Sequence, residues 1–240
     1  MTTSYFILSK NIDKPINDDN ENNITFLKNK LIYLLPYNLI DYYISNGLYE
    51  KNIIEFCKNF KNDNKIFLDI GAHTGTYSIS LHRYFKKVLA FEPHRKTFYA
   101  LCGSVAMNDV SNIYCFNFGL GSENQRGLNE LYITSHDGGS STLHPKNNQN
   151  IIKKEEIIIK TLDELNISEK IGMIKIDVEE NELEVLRGAV ITIKNSDYPP
   201  ILFESNYENK MLFEFVRETL GYEIFNIYNV NNMFFAQKKN

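Results

Sequence analysis

The chain has 240 residues, 43% of them hydrophobic, with a formal charge of −4. That length and apolar content suit one sizeable domain with an ordinary core. The slightly acidic balance supplies no basic field for nucleic acid. The three cysteines, Cys57, Cys102 and Cys115, form no CxxC or Cys/His cluster, which argues against structural zinc and fits packing residues in a reducing compartment. The N-terminal MTTSYFILSKNIDK lacks the basic start and long apolar core of a secretory signal. No apolar run reaches bilayer length, so the chain reads as cytoplasmic with no membrane partner.

The stretch NDDNENN at 17–23 reads as a polar loop. From Ile24 to Phe60 apolar residues recur at helical spacing: Leu27, Leu31, Leu34, Leu35, Ile40, Tyr43 and Ile44, then Ile53, Ile54, Phe56 and Cys57. An N-terminal helical segment over 1–60 is expected, followed by the main domain over 61–240. Tyr33, Tyr37, Tyr42, Tyr43 and Tyr49 fall at the same spacing and read as a packed helix face rather than a sugar-stacking wall.

Strand and helix patterns then alternate. KIFLDI (65–70), KVLAFE (87–92), NIYCFN (112–117), GMIKIDVE (172–179) and PILFES (200–205) are short apolar runs suited to buried parallel strands. Helical patterns separate them, including one amphipathic helix through Leu183, Leu186, Val190 and Ile193. This predicts an α/β fold with right-handed crossovers. Residues 118–160 interrupt the rhythm with DGGSST (137–142) and EEIIIKT (155–161), an inserted hairpin or loop at the sheet's edge or mouth. YEIFNIY and MFFAQ, joined by a short Asn-rich link, predict a terminal antiparallel hairpin.

Ligands of open α/β sheets bind at the carboxyl ends of the strands. Four predicted strands end in an acid, Asp69, Glu92, Asp177 and Glu204, and the third ends in Asn117. Glu92 is placed to accept from a ribose diol, or to cap the helix after Pro93. The loop after Asp69 has glycines spaced G-x-x-x-G, Gly71 and Gly75, unlike the G-x-G-x-x-G of dinucleotide folds. An acid beside that loop suits a cationic ligand and opposes a pyrophosphate.

With YEKNIIEF (49–56), DIGAHTGTYS (69–78), AFEP (91–94), TLDEL (161–165), IKIDVEENELEVLRGA (174–189) and ILFE (201–204), the chain resembles the FkbM-type S-adenosylmethionine-dependent O-methyltransferases over residues 47–205. The resemblance implies a class I methyltransferase, Rossmann-like sheet, mostly parallel with a C-terminal antiparallel hairpin, preceded by N-terminal helices. It implies S-adenosylmethionine as cofactor, with Asp69, Gly71, Ala72, His73 and Gly75 around its methionine part, Glu92 and Pro93 at the ribose, Asn117 at the adenine and Asp177 under the sulfonium. His73 stands where the family usually has Asn, and Glu180 where it usually has Gly. The implied reaction is O-methylation of a hydroxyl on a sugar of a glycan or glycoconjugate. The rivals are a lipid, polyketide, peptide or RNA hydroxyl, or a silent cofactor-binding module.

Such a hydroxyl must lose its proton, so a base or a metal is needed. Asp177 is the first candidate base, its pKa expected to rise through burial and nearby acids, with Glu204 sharing the work and His73 as alternative. Asp177, Glu179, Glu180 and Glu204 are the acids that would gather Mg²⁺ if a metal takes part. Glu180 and Glu182 read instead as ordinary acids of a helix's first turn, and no metal ligand is assigned. Ser140, Ser141 and Thr142 have hydroxyls to offer a sugar, though a polar surface loop explains them equally. The sequence sets no oligomeric state.

Overall fold

The computed structural model describes residues 5–11, 30–205, 209–227 and 232–239. The stretch at 17–23, the helical expectation for Ile24 and Leu27, and most of the Asn-rich hairpin link lie outside the described residues.

Two antiparallel strands come first, β1 (Tyr5–Asn11) and β2 (Lys30–Pro36). The helical expectation for Leu31, Leu34 and Leu35 is thereby corrected. The backbone N–H of Ile32 donates to Asn108 Oδ1 at 2.8 Å, that of Leu34 to Ser104 Oγ at 3.0 Å, and Asn108 Nδ2 returns a bond to the Ile32 carbonyl at 2.7 Å. Side chains some seventy residues away satisfy this backbone, and Pro36 ends the strand. Helices α1 (Ile40–Asn46) and α2 (Lys51–Cys57) follow, the latter burying Ile53, Ile54 and Cys57.

The main sheet then builds through β3 (Asn62–Ile70), α3 (Thr76–Leu81), β4 (Phe85–Phe91), α4 (Arg95–Met107) and β5 (Ile113–Phe116). Residues 118–160 form a small sheet of β6 (Gly119–Leu120), β7 (Gly127–Ile133) and β8 (Lys153–Lys160), ordered β6-β8-β7. The loop between β7 and β8 carries Ser135 to Ile152. Next come β9 (Ile171–Ile176), α5 (Glu182–Arg187), α6 (Val190–Asn195), β10 (Ile201–Glu204), α7 (Lys210–Glu214) with a π-helical turn over Phe215–Thr219, and the hairpin β11 (Tyr222–Asn226) and β12 (Met233–Lys238).

The single helix expected through 183–193 is broken into α5 and α6. A Cβ at Gly188 would lie 2.0 Å from the Gly121 carbonyl oxygen, so the chain passes too closely for a side chain there. Asp163 then caps α6, accepting from Ile191 N at 3.1 Å and Thr192 N at 2.7 Å.

The seven strands run β11-β12-β10-β9-β3-β4-β5. Strands β10, β9, β3, β4 and β5 are parallel, and β12 is antiparallel to both of its neighbours. Alternation along β3 sends Ile66, Leu68 and Ile70 to one core and Phe67 to the other, so both faces of the sheet are covered. Among the described residues no helix is long and apolar enough to cross a membrane.

Candidate active site

The carboxyl ends of β3, β4, β9 and β10 open on a cavity of about 390 Å³, within the usual range for small-molecule sites. Its other walls come from the segment before α2, from β6 and β8, and from the β7–β8 loop. Gly71, Ala72, His73, Glu92, Pro93, Asp177 and Glu204 line it, as do Glu50, Tyr77, Asp137, Lys175 and Glu179.

Three expected cofactor contacts lie elsewhere. Asp69 is fully buried beneath the cavity, accepting from Ser78 N at 3.0 Å and Ser78 Oγ at 2.5 Å, with Lys175 Nζ 3.7 Å from its other oxygen. Its carboxylate faces α3 and a lysine rather than the cavity. Gly75 packs its Cα against Leu101 at the start of α3. Asn117 donates from Nδ2 to the carbonyls of Glu92 and Pro93, at 2.9 and 3.0 Å, and so fixes the turn that presents Glu92.

Gly71 does border the cavity, and its residue type has a steric cause. Its φ is +75°, and a Cβ there would sit 1.8 Å from the Asp177 carbonyl oxygen. Glycine lets the ends of β3 and β9 close on each other. Both Gly71 N and Ala72 N donate to the Phe91 carbonyl, joining this turn to β4.

The Glu92 carboxylate is nearly enclosed. Its Oε2 accepts from His73 N at 2.8 Å, and its Oε1 from His94 N and Thr97 Oγ1, both at 2.9 Å. A carboxylate offers about four acceptor positions, so one remains for a ligand hydroxyl rather than the two a whole diol would use. Burial pushes Glu92 above the ordinary glutamate range, against the pull of His73 and these donors. His73 also donates from Nε2 to the Asp137 carbonyl at 2.8 Å. A carbonyl only accepts, so Nε2 carries the proton, and through this bond, which engages Nε2 alone, His73 ties the β7–β8 loop to the Gly71 turn.

Asp177, Glu179 and Glu204 bring carboxylate oxygens within 4.8 Å of one another. Burial pushes Asp177 up, but Lys175 Nζ at 3.2 Å and a hydrogen bond from Glu204 outweigh it and hold Asp177 below the ordinary aspartate value. The expectation of a raised Asp177 is thus corrected by a counter-ion the pattern of acids did not reveal. The proton falls instead to its neighbours. Burial, then the Asp177 charge, pushes Glu204 up to about 9 and Glu179 up to about 8.

These raised values predict how the ligand-free protein responds to pH. A glutamic acid holding its proton to a higher pH when folded stabilises the fold below its unfolded value, and that stability is lost as pH rises through the folded value. The melting temperature is therefore expected to fall between about pH 5 and pH 9. Glu204→Gln, which cannot ionise, should lose less over the same interval when both are followed by thermal unfolding.

The β7–β8 loop is held by its own polar groups. Thr142 Oγ1 donates to the Glu179 carbonyl at 2.8 Å and Ser141 Oγ to the Gly138 carbonyl at 2.8 Å, while His144 Nε2 lies 3.0 Å from Asn181 Oδ1. Of the hydroxyls that could face a sugar, that of Thr142 fastens the loop to the mouth and that of Ser141 bonds within the loop. Of the five N-terminal tyrosines, Tyr33 and Tyr43 are buried, whereas Tyr37, Tyr42 and Tyr49 are exposed and the Tyr42 and Tyr49 rings lie 5.4 Å apart. The packed-helix-face reading holds for Tyr43 alone, since Tyr33, though buried, lies in strand β2.

Glu180 does not narrow the cavity. It turns outward to Lys146 at 2.7 Å. Its φ of +78° explains why a glycine suits this position. Glu180→Gly is expected to raise the melting temperature by about 2 °C with turnover unchanged, because relief of left-handed strain slightly exceeds the entropy cost of glycine and the loss of an exposed ion pair.

Across residues 69–226 the sequence matches the methyltransferase FkbM domain. The chain belongs to the FkbM methyltransferase family. Among curated relatives, methyltransferase sdnD of Sordaria araneosa is 26% identical over 189 residues, which cover 64% of this chain and 72% of that protein. Methyltransferase 1 of Beauveria bassiana is 25% identical over 52% of this chain, an alignment that spans 59% of its own length. A solved precorrin-6y C5,15-methyltransferase from Geobacter metallireducens aligns over 80% of this chain and 90% of its own, at 13% identity and a TM-score of 0.49. The family match and the mostly parallel seven-stranded sheet with its antiparallel terminal hairpin make the fold that of class I methyltransferases, and S-adenosylmethionine is the methyl donor expected for such an enzyme.

The residues around the cavity of this FkbM methyltransferase fit such a molecule. Six acidic side chains, Glu50, Glu92, Asp137, Asp177, Glu179 and Glu204, line the cavity, against one lysine. Glu92 keeps one acceptor position for a hydroxyl, as counted above. Sequence reading missed Glu50, Tyr77, Asp137 and Lys175 as site residues. Glu50 sits at φ +53° before α2 and accepts from Tyr77 OH at 2.8 Å. A signal existed for Lys175: it is the one charge inside the apolar run GMIKI.

Proposed function

We propose that this FkbM methyltransferase transfers the methyl group of S-adenosylmethionine to a hydroxyl on a sugar of a glycan or glycoconjugate. One observation carries the reading. At the cavity, Asp177, Glu179 and Glu204 bring carboxyl oxygens within 4.8 Å of one another, where burial and the Asp177 charge favour a proton on Glu204 and Glu179 while Lys175 favours the charge on Asp177. Such a set both accepts and donates hydrogen bonds, which suits an acceptor whose reacting hydroxyl has hydroxyl neighbours. The exposed Tyr49 ring lines the cavity and offers an aromatic face to a sugar's C–H groups, with the Tyr42 ring tilted beside it.

Bound, the donor supplies an electrophilic methyl group on a positively charged sulfur. Glu92, held by His73, His94 and Thr97, takes one ribose hydroxyl. The turn Gly71–His73 and Pro93 frame the nucleoside and methionine parts. Asp177 accepts the proton that the acceptor hydroxyl releases as its oxygen takes the methyl group. Asp177 is ionised before the reaction and needs no prior deprotonation. Glu204 steadies it through their hydrogen bond.

This reading gives Mg²⁺ no role, because Lys175 Nζ lies 3.2 Å from Asp177 and a metal would have to displace protons from Glu204 and Glu179. Chelator treatment is expected to leave the rate within about twofold. A loss restored by added Mg²⁺ would return the acid cluster to a metal role.

A lipid or polyketide hydroxyl is the second reading, favoured by the apolar wall of Leu131, Leu143, Ile157 and Ile159. The deciding experiment offers isotopically labelled S-adenosylmethionine with panels of oligosaccharides, polyketides and lipids and reads methylated products by mass spectrometry. A methylated sugar hydroxyl is expected. Label found only on lipid or polyketide selects the second reading, and donor binding with no transfer to any panel leaves a silent binding module.

A further inference from the structure

Lys175 is the least expected residue of the central sheet. It sits in β9 between β3 and β10, opposite Asp69 on one side and Leu202 on the other, and is 3% exposed. Its neighbours in β9, Met173, Ile174 and Ile176, are apolar and buried. An apolar side chain would fill such a position at less desolvation cost than an ammonium.

Besides Cys57 on α2 and Glu179, the charged and titratable groups around Lys175 are these. Asp69 Oδ1 on β3 lies 3.7 Å from Nζ, and Asp177 Oδ2 beyond β9 lies 3.2 Å away. The Tyr77 ring of α3 has its centroid 5.3 Å away, and Glu50, which accepts from Tyr77, adds its charge from the turn before α2. Nζ also donates to the Gly71 carbonyl at 2.8 Å. Burial opposes the charge, but Asp177, Asp69 and Glu50 more than offset it, so the ammonium stays protonated.

The two aspartates are not equivalent. Asp69 is closed off from solvent and fixed by Ser78, whereas Asp177 is about a third exposed and faces the cavity. Lys175 therefore divides its charge between a hidden acid and a working one. It weakens the negative potential that Asp177 projects into the cavity.

A methyl donor and its demethylated by-product differ there by one positive charge. We propose that Lys175 sets how strongly the cavity prefers the cationic donor to the neutral by-product, holding that preference below the one Asp177 would give unopposed. This rests on the reading that the cavity takes S-adenosylmethionine.

The test is binding, with no acceptor present. S-adenosylmethionine and S-adenosylhomocysteine are each titrated calorimetrically into the wild type, Lys175→Met and the double variant Lys175→Met/Asp69→Asn, with thermal unfolding run on all three. Lys175→Met alone leaves two neighbouring acids without their counter-ion, and a melting temperature about 10 °C lower is expected. The double variant removes one charge of each sign and should regain most of that loss. In the double variant the ratio of donor to by-product affinity should rise about tenfold over wild type, since Asp177 acts unopposed. A folded double variant with an unchanged or smaller ratio would overturn the proposal and leave Lys175 a purely structural counter-ion. Wild-type protein that takes up neither compound would remove the donor reading itself, and the proposal with it.

Discussion

Asp177→Asn is expected to lower methyl transfer by about 10³-fold or more, while affinity for S-adenosylmethionine falls by no more than about tenfold. The amide keeps the size and hydrogen-bonding reach of the carboxylate but cannot take a proton. Lys175 would still have Asp69 and the Gly71 carbonyl as partners, so the turn that frames the donor should stay in place. The split between rate and affinity is the informative part. Equal loss of both would make Asp177 a binding residue only, and unchanged turnover would remove it from the reaction. Glu204→Gln provides the contrast. Glu204 already holds a proton at neutral pH, its pKa being pushed up to about 9, so the variant should keep its rate within about tenfold. A collapse in Glu204→Gln matching that in Asp177→Asn would move the proton acceptor from Asp177 to Glu204.

Glu92→Ala should weaken S-adenosylmethionine binding by about 100-fold or more. Two effects add. The ligand loses a charge-assisted hydrogen bond, and the backbone N–H groups of His73 and His94 lose the acceptor that now orients them, at 2.8 and 2.9 Å. His73 in turn holds the β7–β8 loop through Asp137, so the cavity wall loosens with it. Calorimetry on the variant, with thermal unfolding as control, separates lost affinity from lost fold. Binding within about fivefold of wild type would contradict a donor-binding role for Glu92.

The parallel strands and their acidic ends were legible because both are local signals. Short apolar runs fix the strands, and the residue that follows each run sits at the sheet's mouth whatever the rest of the chain does. Glu92, Asp177 and Glu204 were found that way. Asp69 obeyed the same rule yet was misread, because its depth depends on Ser78 and Lys175, which close over it. The strand β2 was illegible for a similar reason. Besides β1, its backbone partners are Ser104 on α4 and Asn108 just after that helix, and nothing near Leu31 or Leu34 announces them. The break at Gly188 depends on the Gly121 carbonyl, again a distant partner. Protonation was the least legible property. Acids clustered at one mouth suggest that each raises the others, but the single lysine in β9 decides which acid stays ionised and which two keep their protons.

The account stands on carboxylates at the sheet's rim holding a sulfonium compound, and titration calorimetry of the purified chain with S-adenosylmethionine tests this most directly. One molecule bound per chain with a dissociation constant near the micromolar range is the predicted result, with S-adenosylhomocysteine competing for the same site. Titrations of both compounds that release no heat of binding, in protein shown by thermal unfolding to be folded, would contradict it.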